Sequence, residues 1–323
     1  MDAGSTGVPD ALPAALRRLA LLPLVGLVGC APVVDVQSLD DDVRVRRVPI
    51  IQLSGSGLSG TAADEQDRLW AIAERQPLLV LFDQPGAEAP RVVRRLVRGV
   101  PEGLETESLA WLGHGRLLAG TETRVPNRRS DALLLLELEP DAARVTEMFT
   151  VDYEQLFGVR AAANQGLEGL CYAGGVALAA AETPILRDEQ RLSPLVRVDL
   201  TTRTVVPFWL ALTSSTGKVS ALDCRRSDDP HVLDVLAIER HYGITRVLQF
   251  FLPLSGVGFV LTPRVALDAG VRFRPHPNVE GITRHGAGLV LVTDHDSPRI
   301  PGSTERIVLD GLGGAGLERY AND

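Results

Sequence analysis

The stretch Glu168-Gly169-Leu170, followed by Ala177-Leu178-Ala179-Ala180-Ala181-Glu182, decides the fold. A small or acidic residue opens an apolar strand, a tight polar turn follows, and a second apolar strand ends in an acid. The pattern occurs five times, and its opening residues are Ser59, Glu107, Glu168, Ser220 and Glu280. Its closing acids are Glu74, Glu122, Glu182, Glu239 and Asp294, which lie 48, 60, 57 and 55 residues apart. A repeat of about this length, built from short strands, is typical of a β-propeller.

The composition agrees with an all-β fold. The strands are rich in Val, Leu and Ala, and 31 Gly and 21 Pro mark the turns. After the N-terminus, no segment keeps the apolar period of a long helix. We therefore predict an all-β propeller with five blades. Two long gaps between repeats, 125–157 and 250–275, leave room for a sixth blade.

The charge of the chain argues against a nucleic-acid partner. The net charge is −8, and no basic run exceeds a few residues. Phosphate backbones are bound by a clustered positive face, which this sequence lacks.

The N-terminus reads as a targeting segment. Arg17 and Arg18 precede an apolar run of 11 residues, 19–29, which is too short to span a bilayer. The run ends in Leu27-Val28-Gly29-Cys30, which resembles the bacterial lipobox. The resemblance implies that residues 1–30 are a lipoprotein signal whose Cys30 carries the lipid and attaches the protein to a membrane. Ala31 at the next position permits sorting to the outer membrane, facing the periplasm. The alternative is a plain secretory signal with a chance cysteine.

The rest of the chain divides into a tether and one folded domain. Residues 31–47 contain Asp40-Asp41-Asp42 and little regular pattern, so we predict a short tether there. The propeller is predicted over 48–318. An N-terminal strand at 48–53 would pair with a C-terminal strand at 305–309 and so remove the open edge of the last blade.

Two cysteines remain in the propeller, Cys171 and Cys224. Two thiols in an oxidising compartment can pair. Neighbouring blades splay apart, however, and a disulfide needs Cα atoms within about 7 Å. We therefore expect buried free thiols.

Five short motifs in order resemble one known family. They are 58–75, Leu104-Glu105-Thr106-Glu107-Ser108-Leu109, Asn164-Gln165-Gly166-Leu167-Glu168-Gly169-Leu170, Val219-Ser220-Ala221-Leu222-Asp223 and Asn278-Val279-Glu280-Gly281-Ile282. Over residues 50 to 300 the chain looks like the phytase-like family, described as "esterase-like activity of phytase". The resemblance implies hydrolysis of phosphate esters or carboxylic esters. More distantly the plan is similar to calcium-dependent propeller lactonases and gluconolactonases, in which several blades hold a central cation.

Three opening acids form the candidate metal site. Glu107, Glu168 and Glu280 start equivalent strands, which places three carboxylates near one mouth of the channel. Like charges crowded together are costly unless a cation compensates, and Ca²⁺ accepts six to eight oxygen ligands. Asn164 and Asn278 would add amide oxygens. The alternative is that each glutamate caps local backbone amides.

The closing acids and one histidine give a second set of candidates. Strand-end acids commonly pair with a nearby Arg, and Arg75 and Arg240 directly follow two of them. In Asp294-His295-Asp296 a histidine lies between two acids, so His295, beside Asp294, is the candidate general base. The alternative is an ordinary loop histidine.

Two functions remain open at this point. The first is a lipid-anchored envelope hydrolase that uses a channel cation, Ca²⁺, to polarise an ester or phosphate oxygen of a small-molecule substrate. The second is a non-catalytic propeller that binds a ligand or a protein on the envelope. Fold alone does not separate the two.

Overall fold

A computed structural model gives the architecture of the chain. The structure describes residues 36–38, 43–50, 57–87, 90–241, 243–270, 277–294 and 304–312. Apart from one short helix, α1 (Tyr153–Phe157), the regular elements in these ranges are strands. The all-β prediction is confirmed.

Each blade is built on an antiparallel sheet of four strands, the first of which lies innermost. The strands of blades 1 and 2 are β3 (Leu58–Ala63), β4 (Leu69–Ala73), β5 (Leu78–Asp83), β6 (Arg91–Arg98), β7 (Glu105–Gly113), β8 (Arg116–Glu122), β9 (Ser130–Leu138) and β10 (Ala142–Asp152). A parallel pairing of β6 with β10 joins these two blades into one eight-stranded sheet.

The remaining three blades follow the same plan, and blades 3 and 4 carry additional strands. Blade 3 contains β11 (Leu167–Ala173), β12 (Val176–Ala181), β13 (Ile185–Arg187), β14 (Gln190–Asp199) and β15 (Thr204–Ala211). Blade 4 contains β16 (Lys218–Arg226), β17 (Val232–His241), β18 (Ile244–Pro253) and β20 (Arg264–Asp268), whereas β19 (Val260–Leu261) adds to the edge of blade 3. Blade 5 contains β21 (Val279–His285), β22 (Gly288–Thr293) and β23 (Glu305–Asp310).

Strands from the N-terminus complete two blades. The strand β2 (Arg44–Pro49) pairs with β23 and supplies the fourth strand of blade 5. It begins four residues before the strand predicted at 48–53, and residues 51–53 lie outside the described ranges. The strand β1 (Val36–Ser38), which falls in the predicted tether, pairs with β20 at the edge of blade 4.

The inner strands close a ring of five. β3, β7, β11, β16 and β21 contact one another in that order, and β21 contacts β3 again. The gap at 125–157 holds β9, β10 and α1, and the described part of 250–275 holds outer strands of blades 3 and 4. Within the described residues the ring therefore has five blades.

Apolar clusters fill each of the five interfaces between neighbouring blades. Ile238 and Leu236 of blade 4, for example, pack with Ile282 and Leu291 of blade 5. Comparable clusters lie between the other neighbouring pairs. Because both faces of a blade are covered, its strands read as continuous apolar runs rather than as alternating ones.

The small residue after each opening residue has a steric cause. A Cβ atom on Gly60 would lie 2.3 Å from the Cα atom of Ser108 in the next blade. A Cβ on Gly281 would lie 2.6 Å from Cγ2 of Thr61. Inner strands of neighbouring blades approach this closely only where the side chain is small or absent.

Candidate functional site at the acidic mouth

A β-bulge in each inner strand changes the direction in which the side chain of the opening residue points. The pairing register of the inner strand shifts at this point in all five blades. A bulge inserts an unpaired residue and turns its side chain away from the ladder. The unpaired residues in blades 2, 3 and 5 are Glu107, Glu168 and Glu280. We call the end of the channel that they line the acidic mouth.

The three glutamates interact at this mouth. All three are buried. Burial, together with the charges of Glu168, Glu122, Glu74 and Glu280, raises the pKa of Glu107 well above its ordinary value. Burial and the charge of Glu280 do the same to the pKa of Glu168.

Blade 4 supplies the opposing positive charge. Arg240 Nη2 donates to Glu280 Oε1 at 2.5 Å, and Asn278 Nδ2 donates to the same oxygen at 2.6 Å. Lys218 donates to Glu182. Burial and the neighbouring charge of Arg240 lower the pKa of Lys218. The pKa of Glu280 is still raised, because its burial outweighs the attraction of Arg240 and Lys218.

The most compact set of oxygen ligands is Glu74, Glu105 and Glu107. One carboxylate oxygen from each lies within 4.8 Å of the others. Oε1 of Glu107 and Oε2 of Glu105 are buried and have no hydrogen-bond partner among the described residues. Burial and the charge of Asp294 raise the pKa of Glu74 to about 7. A hard divalent cation would satisfy these unpartnered oxygens, so the residues fit Ca²⁺.

The metal ligands predicted from the sequence therefore overlap only in part with this compact set of carboxylates. Glu107 belongs to both. Glu168 and Glu280 face the same mouth, but Arg240 and Asn278 already engage Oε1 of Glu280, whereas its Oε2 is buried without a hydrogen-bond partner among the described residues. Both residues stay predictions as metal ligands. Asn164 is exposed, with a left-handed backbone at φ 54°. Asn278 presents its amide nitrogen, not its oxygen, to Glu280.

The closing acids serve several roles. Glu239 is held by the backbone N–H groups of Thr213 and Ser214, at 3.1 and 3.0 Å, and by their hydroxyls, so it caps a turn. Asp294 lies 3.5 Å from Arg75. Burial and the charge of Glu105 raise the pKa of Glu122 to about 7. Its Oε2 atom is buried without a hydrogen-bond partner among the described residues.

A cavity of ≈ 480 Å³ opens beside these acids on the blade 3 and blade 4 side. Its basic lining comes from Arg191, Lys218, Arg240 and His241. An anionic group of a small molecule would meet several cationic groups here, a few ångströms from the carboxylates of Glu182 and Glu280.

Two of the most useful residues were missed by the sequence reasoning. Glu105 lies two positions before Glu107, and Lys218 lies two positions before Ser220, so both occupy the same place in the repeat. A comparison of the five repeats that started two positions before the opening residue would have shown this pair. The opposite charges of Glu105 and Lys218 also anticipate a mouth that is acidic on one side and basic on the other.

The two cysteines lie at the opposite end of the channel, which we call the disulfide face, and their arrangement corrects the prediction of free thiols. Cys171 and Cys224 form a disulfide with Cα atoms 5.6 Å apart. The expectation of free thiols was wrong because it applied the splay of whole blades to the inner strands, which converge at the axis. A cavity of ≈ 360 Å³ lies here, lined by the disulfide, Trp111 and Arg284 among others.

Several predicted residues lie outside the described ranges. They are Cys30, His295 and Asp296. Lipid attachment at Cys30 and general-base catalysis by His295 therefore stay predictions. Of that acidic loop, Asp294 is described and is buried at the acidic mouth. Among the described residues, no helix has the length and apolar character needed to cross a bilayer.

The sequence model of a family described as "Phytase-like: Esterase-like activity of phytase" matches residues 56–297, about three quarters of the chain. No curated protein matches the sequence.

Solved structures with a similar fold come from several bacteria. The PQQ-bound aldose sugar dehydrogenase of Streptomyces coelicolor aligns at 11% identity and a TM-score of 0.43, covering 82% of this chain and 98% of its own. Virginiamycin B lyase of Staphylococcus aureus aligns at 8% identity and a TM-score of 0.39, and the alignment covers 83% of this chain and 99% of the lyase. The GH43 endo-arabinanase of Bacillus licheniformis aligns at 11% identity and a TM-score of 0.46, and the alignment covers 79% of this chain and 94% of the arabinanase. Likenesses this remote carry no information about the activity of this chain.

Proposed function

Since the chain belongs to the phytase-like family described as "esterase-like activity of phytase", we propose that it is a hydrolase of phosphate esters or carboxylic esters that acts at the acidic mouth. We further propose that it works on a bacterial cell envelope, anchored by a lipid on Cys30, with Ca²⁺ as its cofactor.

One observation carries the proposal. Buried carboxylate oxygens of Glu105 and Glu107 lack partners among the described residues, and the same mouth opens into a cavity lined by Lys218 and Arg240. Unpartnered buried acceptors are costly, and proteins retain them mainly where a ligand or ion satisfies them. A cation site next to a cationic cavity suits a substrate that has an ester oxygen and a negative charge.

Each part of the mouth has a proposed role. Glu74, Glu105 and Glu107 would hold the cation, and Glu168 and Glu280 face it. When bound, such an ion supplies Lewis-acid polarisation of a carbonyl or phosphoryl oxygen. Lys218 and Arg191 would orient the anionic part of the substrate by charge-assisted hydrogen bonds. His295, with Asp294 beside it, would take a proton from the attacking water.

The disulfide supports the proposed location. Structural disulfides persist in oxidising compartments such as the periplasm and are rare in the cytosol. Cys171–Cys224 is therefore consistent with a chain that is exported by the segment 1–30.

The test is a panel of phosphomonoesters, carboxylic esters and lactones, assayed with Ca²⁺ and with chelator. We expect Ca²⁺-dependent turnover that Glu107→Gln reduces by about two orders of magnitude or more. Glu137→Gln, at an exposed position of β9 in blade 2, is the matched control and should leave the rate unchanged. Lys218→Met should weaken binding of anionic esters more than of neutral ones. Turnover that ignores both Ca²⁺ and Glu107 would remove the proposal.

A non-catalytic binding propeller is the second candidate. It is favoured by Arg240 and Lys218, which already neutralise part of the acidic charge without a cation. Absence of turnover across the panel, together with saturable binding of an anionic ligand that Lys218→Met weakens, would establish it.

A further inference from the structure

An apolar stretch, which we call the apolar loop, runs from the end of β18 to β19 on the edge of blade 3. Residues 250–263, which read Phe-Phe-Leu-Pro-Leu-Ser-Gly-Val-Gly-Phe-Val-Leu-Thr-Pro, contain no charged side chain. Nine large apolar side chains are exposed among the described residues, and four of them lie in this loop. They are Phe251, Val257, Phe259 and Val260, which are 56%, 66%, 49% and 45% exposed. Exposed apolar groups concentrated in one segment mark an interaction surface.

The backbone of the loop holds these side chains outward. Gly256 and Gly258 have φ of 84° and 72°, a conformation that favours glycine, and they place Val257 between them at the tip. A Cβ on Gly256 would lie 2.5 Å from Cε2 of Phe259, so the Phe259 ring covers that glycine. The backbone N–H of Trp209 donates to the carbonyl of Phe259 at 3.0 Å, which ties the loop to blade 3.

Strand direction fixes the side of the propeller on which the loop starts. β17 ends at Arg240 and His241, beside the acidic mouth, so the next strand, β18, runs away from that mouth and ends at Pro253. The backbone N–H of Leu254 then donates to the carbonyl of His231, in the turn between β16 and β17. The apolar loop therefore starts at the disulfide face, and it then runs back along the edge of blade 3, where Val260 lies opposite Trp209 in the half of β15 nearer the acidic mouth.

The N-terminal strand begins close to this loop. β1 runs parallel to β20, with Val36 opposite Val265, directly after the apolar loop and Arg264. Five residues, 31–35, separate Cys30 from Val36. An extended chain spans at most about 3.5 Å per residue, so a lipid on Cys30 is confined to within about 20 Å of the start of β1.

We infer that the loop 250–263 is a membrane-contacting surface, which rests against the lipid bilayer when Cys30 is lipidated. The inference rests on the lipid anchor of the proposed function but not on the hydrolytic activity. A short tether that leaves the propeller beside an uncharged, aromatic loop brings that loop to the bilayer, where Phe and Val side chains enter the boundary between headgroups and acyl chains.

The experiment compares two exposed valines. The full chain is produced in a bacterial host with Val257→Cys, or with Val125→Cys as the matched control, because Val125 is 60% exposed in the loop after β8, at the end where the closing acids lie. Each variant is labelled with a fluorophore and placed in phosphatidylethanolamine–phosphatidylglycerol vesicles that carry a spin-labelled phospholipid as quencher. We expect the label at 257 to lose about twofold or more in emission, and the label at 125 to lose little.

Further arms separate the outcomes. Acyl labelling of the wild type and of Cys30→Ser reports the anchor by itself, and the ester panel reports the activity by itself. Equal quenching at 257 and 125 in an acylated, vesicle-bound protein would overturn the membrane contact while leaving the hydrolase proposal intact. A chain that carries no acyl group and does not bind the vesicles would overturn it too. Protection of the 257 label from aqueous iodide without lipid quenching would assign the loop to a protein partner instead.

Discussion

Arg240 of blade 4 donates to Glu280 of blade 5 at 2.5 Å, and this ion pair joins two blades at the acidic mouth. Both side chains are largely buried. Removing one partner of a buried pair leaves an uncompensated charge, so Arg240→Met should lower the free energy of unfolding by about 3–5 kcal/mol. Urea denaturation measures this. The double variant Arg240→Met with Glu280→Gln should recover much of the loss, and an unchanged midpoint for the single variant would contradict the pairing.

Stability should fall as pH rises through the neutral range in buffer free of divalent cations. The pKa of Glu74 and of Glu122 is about 7 in the folded chain, raised from 4.5. The folded state therefore binds more protons than the unfolded state between these values, and the free energy of unfolding decreases with pH there. The stabilisation that these two raised pKa values provide is complete below about pH 4.5 and is lost above about pH 7.

Thermal melts at several pH values check this sign. Glu122→Gln cannot ionise, so it should flatten the decline. Exposed Glu137→Gln should keep it. A stability that rises between pH 5 and 7 would show that other groups dominate.

Ca²⁺ should raise the melting temperature by binding only the folded state. At a concentration about 100-fold above the dissociation constant the gain is about 2.7 kcal/mol. Glu105→Gln should abolish the rise, because Glu105 belongs to the compact carboxylate set. Glu280→Gln should retain it, because Glu280 lies outside this compact set and Arg240 and Asn278 engage its Oε1. The opposite result would restore the ligand set predicted from the sequence.

The disulfide should contribute measurably to stability. Cys171 and Cys224 are 53 residues apart in sequence, and closing a loop of this size in the unfolded chain is worth about 2–4 kcal/mol. The variant with both cysteines changed to Ala should lose that amount in urea denaturation, and reduction of the wild type should lose a similar amount. Free thiols detected in the unfolded, unreduced protein would contradict the bridge.

The sequence was sufficient to predict the fold because one physical pattern was repeated. Acids at turns, small residues at the crowded axis and uninterrupted apolar runs between blades all follow from a local rule, as Glu168-Gly169-Leu170 illustrates. The pairing of an N-terminal strand with the C-terminal one could also be expected, since an open blade edge is unfavourable. The exact position of the N-terminal strand could not be predicted, because the register of β2 with β23 is decided by contacts between residues distant in sequence.

The site was predictable only in outline. Glu107, Glu168 and Glu280 do face one mouth, as equivalent positions in a ring must. Which acids share an ion and which find an arginine depends on the angles between blades and on the reach of long side chains. Arg240 could therefore be placed at a strand end but not against Glu280. The same distances across the axis decide that Cys171 meets Cys224.

The pairing of β2 with β23 also constrains the order in which the chain can mature. β2 emerges early from the ribosome, and β23 emerges after every other strand that the structure describes. Until then β2 has no partner and β22 presents an open edge, which invites pairing with other chains. The ring stays unclosed until the last strand arrives, so the need of the chain for a chaperone should be greatest in that interval.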